Sequence, residues 1–315
     1  MKRFFFQLYS ILSVVILMTS CSNTKEKQIL QLIPKDVDAI IYVNPKKIAE
    51  AGQIEKFKNH EGVTKYFQEE DFGPLLESFL NGDDKTGIDF RSNLFLFSKD
   101  DIVFMIFNIN NESNLKKAWG TSLEVQKEQD YNYIIDIKTA TLMAWNGKTA
   151  LLISYIQGIG NPLESFKNII QLPKNETILE NKDVVTFLNS KKAFGFYVNS
   201  AAAKTYSRYL KGVKIPKDSK AFVDLEFEKG KIDIQYHTVL SQEALEQFKE
   251  TDVEQLANQQ LEKLKKDFIY KLLVSYGLED VKFSGNTEKG QVEIILTDKN
   301  ENSLSFILNK LVAFL

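Results

Sequence analysis

The chain of 315 residues carries one cysteine and two histidines, and beyond its third residue only two arginines, Arg91 and Arg208. A single cysteine excludes an internal disulfide and any thiolate cluster for a metal. His60 and His237 are too few for a zinc ligand set without several carboxylates; each reads as a surface or pocket-edge residue. The scarcity of arginine argues against a site built on bidentate clamps for carboxylate or phosphate. No Gly-x-Ser-x-Gly elbow occurs, which counts against the commonest serine hydrolases. No basic run is present either, so neither nucleic acid nor a polybasic membrane patch is expected.

Three local patterns invite chemistry and are read as structure. Gly147-Lys148-Thr149 has the tail of a P-loop, but Leu142 stands where its first glycine belongs, and a hairpin turn is the reading. The loop Asn81-Gly82-Asp83-Asp84-Lys85-Thr86-Gly87 fails as a calcium loop, because Lys85 fills a ligand position and no glutamate closes it. Asp100-Asp101 resembles a carboxylate pair, yet neighbours in a hairpin point apart. No cofactor, metal or catalytic residue is therefore expected, and the chain reads as a non-enzyme.

What is there begins at the N-terminus. Lys2 and Arg3 precede a mostly apolar stretch, Phe4 to Met18, and Thr19-Ser20 place small residues just before Cys21. The stretch is shorter than the roughly 20 apolar residues of a spanning helix. With its basic start and small-residue end it reads as a removable signal over residues 1–20. The pattern resembles the bacterial lipobox, with Cys21 as the acylated residue. Two or three acyl chains hold a protein stably where one is marginal, so the expected partner is a membrane, reached through lipid on Cys21. Residues 21–30 form the lipidated cysteine and tether; the six polar residues Ser22 to Lys27 reach about 20 Å when extended. The expected location is the cell envelope, at either face of an outer membrane.

Removal of the signal leaves 295 residues (315 less 20), with 38 basic and 42 acidic side chains. That length suits one large domain or two ordinary ones. The 23 phenylalanines and 12 tyrosines suit the core of a large sheet, or an apolar cavity. Asp38 to Asn44 reads as a buried strand, followed from Pro45 by a helix that Gly52 interrupts. A second helical stretch covers Val63 to Leu80. Asn93–Phe97 and Ile102–Asn108 form a hairpin around Ser98 to Asp101. Glu112 to Trp119 is helical. Tyr131–Ile137, Ala140–Trp145 and Ala150–Tyr155 make a meander, with Asn146-Gly147 as its tightest turn.

A second cycle follows Asn161-Pro162. Ala193 to Asn199 matches the first strand in type and in its final asparagine, and the helical Ser200 to Leu210 follows it. Ala221–Glu228 and Lys231–Leu240 are strands. This reads as a weak internal duplication of a strand-helix-meander unit, with halves at 31–160 and 161–315. Ser241 to Tyr276 is the most helical part, with a capping box at Thr251 and Glu254 and an apolar stripe through Leu256, Leu264, Phe268 and Leu272. A strand, Gln291–Thr297, and a short helix, Ser303–Phe314, close the chain.

Ile33-Pro34-Lys35-Asp36 through Asn44, Thr86-Gly87-Ile88-Asp89, the repeat at Asp183 to Asn199, and Gly290 through Asn302-Ser303-Leu304 resemble a Bacteroidetes lipoprotein family known only as a domain of unknown function. The resemblance implies no catalytic residues. The expectation is thus an α+β fold of mainly antiparallel sheet with packed helices and a long C-terminal helix. Its function is that of a lipid-anchored envelope module binding a protein partner or other ligand. The alternatives are a carrier or sensor of apolar molecules and, less favoured, an envelope glycan-active enzyme.

Overall fold

The structure is a computed structural model that describes residues 27–53, 85–119, 124–156, 158–200, 202, 219–228, 231–239, 278–286 and 291–298, with isolated positions between 259 and 274. The signal expected over residues 1–20, Cys21, the stretch from Val63 to Leu80, nearly all of the helix expected over 241–276 and the closing helix expected over 303–314 lie outside the described residues.

The fold is α+β, dominated by one antiparallel sheet of 12 strands in the order β11-β12-β10-β9-β8-β1-β2-β3-β7-β6-β5-β4. The first seven are β1 (Ala39–Val43), β2 (Leu94–Lys99), β3 (Ile102–Asn108), β4 (Gln126–Glu128), β5 (Tyr131–Asp136), β6 (Thr141–Trp145) and β7 (Thr149–Tyr155). The rest are β8 (Phe194–Asn199), β9 (Lys220–Glu228), β10 (Lys231–Val239), β11 (Leu278–Asn286) and β12 (Gln291–Asp298). Four helices are described in full: α1 (Pro45–Gly52), α2 (Glu112–Trp119), α3 (Pro162–Ile170) and α4 (Lys182–Leu188). The expected strands from 38 to 155 and 193 to 240, and the helix at 112–119, are present within a residue or two. Strands β4 and β11 and helices α3 and α4 go beyond those expectations.

Strands β1 and β8 meet at the centre, so strands β1 to β7 lie on one side of that seam and strands β8 to β12 on the other. Asparagine starts the helices. Asn44, Asn161 and Asn181 accept from the backbone N–H three residues on, and Pro45 and Pro162 occupy the first helical position. The side-chain oxygen satisfies one of the four N–H groups a helix start leaves orphaned, and proline loses nothing there.

The first half buries both faces of its strands, which is why they read as continuous apolar runs. On one face Ile40, Tyr42, Phe95, Phe97, Phe104, Ile106, Leu151 and Ile153 pack beneath Ile29 and Ile33 of the first turn, Phe166 of α3 and Phe187 of α4. On the other, Phe107, Met143 and Trp145 pack beneath Leu115 of α2 and Ile88. Across the seam one row of this face turns polar. The transverse row that contains Leu151, Ile106, Phe95 and Tyr42 passes Gly195 and continues as Asp224, Gln235, Glu293 and Ser284. Tyr197 and Phe222, on the same face, stay in the core cluster, while the half-buried Val223, Leu225, Ile232 and Ile234 alternate onto the opposite face.

Candidate functional site

Two features of the described residues concentrate polar groups. The first is a cleft of about 590 Å³, within the ~300–1,000 Å³ common for small-ligand sites. Three elements meet there. The turn between β6 and β7 is folded by Asn146, whose Oδ1 accepts from Lys148 N at 3.0 Å and Thr149 N at 2.9 Å, and whose own N donates to Thr149 O. This is an Asx turn, the short polar side chain standing in for backbone. The C-terminal end of α3 and the turns after it supply Ile169, Ile170, Leu172, Lys174 and Thr177. The helical turn at 27–30 and the residues after it supply Gln28, Gln31 and Leu32. Pro34 forms a bridge with Thr177, and Ile178 N donates to Ile33 O at 2.8 Å. The N-terminal segment is thereby fixed against the other wall.

The cleft is two-toned. Leu32, Ile169, Ile170, Leu172 and the ring of Tyr131 give it an apolar lining, while Gln28, Gln31, Asn146, Lys148 and Lys174 are polar. No carboxylate lines it, although the chain has more acidic than basic residues. Lys148 and Lys174 are exposed and form no ion pair among the described residues. The Tyr131 hydroxyl has its pKa raised by burial and by the neighbouring Asp130, so it stays a neutral donor.

The second feature is a closed network at the seam. Tyr42 Oη donates to Asp224 Oδ1 at 2.8 Å, Ser190 Oγ donates to the same oxygen at 3.2 Å, and the two hydroxyls lie 2.5 Å apart. Phe187 and Phe222 wall it, and His237 stacks on Phe222 with ring centroids 4.6 Å apart and planes 9° from parallel. Burial pushes the Asp224 carboxyl up, against the hydrogen bonds from Tyr42 and Ser190 that lower it. Burial likewise pushes the His237 imidazole down, against the pull of Asp224 and Asp183. Tyr197, buried on the same face, is pushed up to about 12. Ser190 has a carboxylate and a phenol as partners and no imidazole, so the group holds strands together and offers no activated nucleophile of the serine-histidine kind.

The residues singled out from sequence are thus dispersed. Cys21 and His60 lie outside the described residues. His237 sits half-buried on β10, against the seam network. Gly147-Lys148-Thr149 forms the hairpin turn expected of it and also lines the cleft. Thr86 and Gly87 pack under α2: Gly87 has φ of 75° and its carbonyl accepts from Asn110 N. A Cβ there would run into the backbone at Asn111 and Leu115. Asp100, with φ of 54°, is the αL corner of the β2–β3 turn. Among the described residues no three or more His, Cys, Asp or Glu side chains are placed to hold a metal ion. Among them, too, no helix is long and apolar enough to cross a membrane. Gln28, Gln31, Lys174 and Thr177 carried no sequence signal, because a cleft assembled from three distant segments leaves no spacing to read.

No protein-family model matches the chain, and no curated protein matches it. Solved structures of TP0453 are similar over most of its length. Crystal form I aligns at a TM-score of 0.42 and 8% identity, covering 90% of this chain and 96% of that one. Crystal form III aligns at 0.43 and 10%, covering 90% and 97%.

Proposed function

We propose that this chain is a lipid-anchored binding module of the cell envelope, tethered through acyl chains on Cys21, with the cleft against residues 28–32 as its ligand site. The observation that carries the reading is positional. The cleft is walled by Gln28 and Gln31, and Gln28 stands only seven residues after Cys21. Seven residues extend to about 25 Å at most, so the cleft would open close to the surface that holds the acyl chains. The reading also takes the chain as a relative of the Bacteroidetes lipoprotein family and the two sides of the β1–β8 seam as a doubled unit. Its support is that each side starts with a central strand that runs into an asparagine, Asn44 directly after β1 and Asn199 at the end of β8, and continues outward as a hairpin, β2–β3 on one side and β9–β10 on the other.

The test is metabolic labelling with a palmitate analogue in cells expressing the full chain. Label that is incorporated into the protein and lost in Cys21→Ala supports the anchor; label independent of Cys21, or none, overturns it.

A second reading, an envelope protein as partner, is favoured by three isoleucines on two adjacent loops. Ile137, Ile156 and Ile159 are 82%, 66% and 80% exposed, and Tyr155 N donates to Ala140 O between the loops. Site-specific cross-linking from position 159 in intact cells tests it: one discrete adduct supports a partner, and no adduct removes it.

A further inference from the structure

The lining of the cleft specifies a class of ligand, and this step rests on the reading of the cleft as a binding site. We propose that it takes a single-chain anionic amphiphile, an aliphatic tail carrying a phosphate headgroup.

The aliphatic part comes from α3 and the turn after it. Ile169, Ile170, Leu172 and Leu32 line the cleft, Ile169 is 5% exposed, and Leu32 and Ile170 pack against the core cluster, so this wall is part of the folded core and is preformed. These are branched aliphatic side chains with one aromatic ring, Tyr131. Apolar surface of this kind rewards burial of the methylene groups of an alkyl chain. It offers little to a sugar, which is better held by aromatic platforms and by carboxylates that accept from its hydroxyls.

The head comes from Lys148 and Lys174. They approach from different elements, the β6–β7 turn and the turn after α3. Neither is neutralised by a carboxylate among the described residues, although Lys35 pairs with Glu176 at 2.9 Å and Lys167 with Glu128 at 3.1 Å close by. Two unpaired ammonium groups at the edge of an apolar cleft without a carboxylate favour an anion and repel a cation. Gln28, Gln31 and Asn146 add neutral amide donors, each able to meet a phosphate oxygen. The Asx turn fixes the backbone from which Lys148 extends, because Asn146 Oδ1 holds the backbone N–H of Lys148 itself. Position completes the argument: an amphiphile of this class partitions into the membrane that acylated Cys21 would enter.

The experiment uses the full chain in phosphatidylcholine vesicles. A lysophosphatidate with a photoactivatable tail is added from solution, and the adducts are mapped by mass spectrometry. The expected result is saturable labelling of peptides containing 28–32 and 169–174, reduced about tenfold in Lys148→Gln/Lys174→Gln, with weak labelling by the same tail on a trimethylammonium head. Both lysines are exposed, so the double variant should keep the wild-type melting temperature, measured alongside. Equal labelling by the cationic probe overturns the proposal, as does labelling unaffected by the double variant. Displacement by excess inorganic phosphate would make this a free-anion site and also overturns it. Because the probe comes from solution, this outcome is independent of palmitate incorporation at Cys21, and the two readings fail separately.

Discussion

Tyr42 reaches across a whole strand to bond Asp224: it lies on β1, Asp224 on β9, and the strand between them, β8, has Gly195 in the same transverse row. A Cβ at Gly195 would run into the ring carbons of Tyr42 and close on Phe187. The glycine is required because the tyrosine lies over it. Removing the phenol should leave a buried carboxylate with Ser190 as its remaining partner in the network. Tyr42→Phe is expected to cost about 1–3 kcal/mol, the usual penalty for a buried polar group losing its bond, read as a lower midpoint in urea unfolding. A change within error would show that Asp224 finds compensation elsewhere.

Gly195→Ala should be worse than its side chain suggests. The methyl needs space held by two rings of the core, so the cost is overpacking, typically about 1–3 kcal/mol and occasionally more. The pair Gly195→Ala with Tyr42→Phe should stay as destabilised as Gly195→Ala alone or worse, because the ring remains. Tyr42→Ala should relieve part of the clash, and a double-mutant cycle gives the coupling.

Stability should depend on pH through His237 and Asp224 in opposite senses. The folded state holds the imidazole below its ordinary value, so it binds fewer protons than the unfolded chain. Stability is complete above the unfolded value of about 6.5 and is lost as pH falls through it toward the folded value. The folded state holds Asp224 above its ordinary value, so its carboxylate costs stability as pH rises from about 3.9 through the folded value. His237→Phe, which keeps a ring against Phe222, should flatten the loss between about pH 6.5 and the folded value. An unchanged slope in thermal melts across that window would place the dependence in other groups.

Asn44, directly after β1, and Asn199, the last residue of β8, cap the helical segments after them, but unequally. Asn44 Oδ1 accepts from Lys47 N at 3.0 Å. Asn199 Oδ1 accepts from Ala202 N at 2.9 Å, and its Nδ2 also donates to Val37 O at 2.7 Å. Each cap is worth about 1 kcal/mol, and the second bond of Asn199 adds a similar amount. Asn199→Ala should therefore lower the unfolding midpoint more than Asn44→Ala; the reverse order contradicts this accounting.

Much of the architecture was legible where burial is double-sided. Runs such as Ile102–Asn108 and Thr149–Tyr155 are apolar throughout because both faces are covered, and their bounds were read nearly to the residue. The two strands that escaped, β4 and β11, are the edges of the sheet. Gln126-Lys127-Glu128 and the charged run Glu279, Asp280 and Lys282 suit edges that must not pair further, and such composition resembles a loop. Helix α3 hid behind Asn161-Pro162, a pair that marks a boundary and also, with the asparagine as cap and the proline at the first position, a helix start. The alternation on β9 was written in the sequence: Phe222 and Asp224 alternate with Val223 and Leu225. Which face met the first half's core could not be read without the register. The cleft was legible only at its turn.

The most direct test of the account is where the protein goes without its cysteine. Full-length wild type and Cys21→Ala, expressed at equal levels, are separated into membrane and soluble fractions after a high-salt wash. Wild type in the membrane pellet with Cys21→Ala released to the soluble fraction is the predicted result. A Cys21→Ala protein that stays with the membrane as firmly as wild type would contradict the anchor and the placement of the cleft that rests on it.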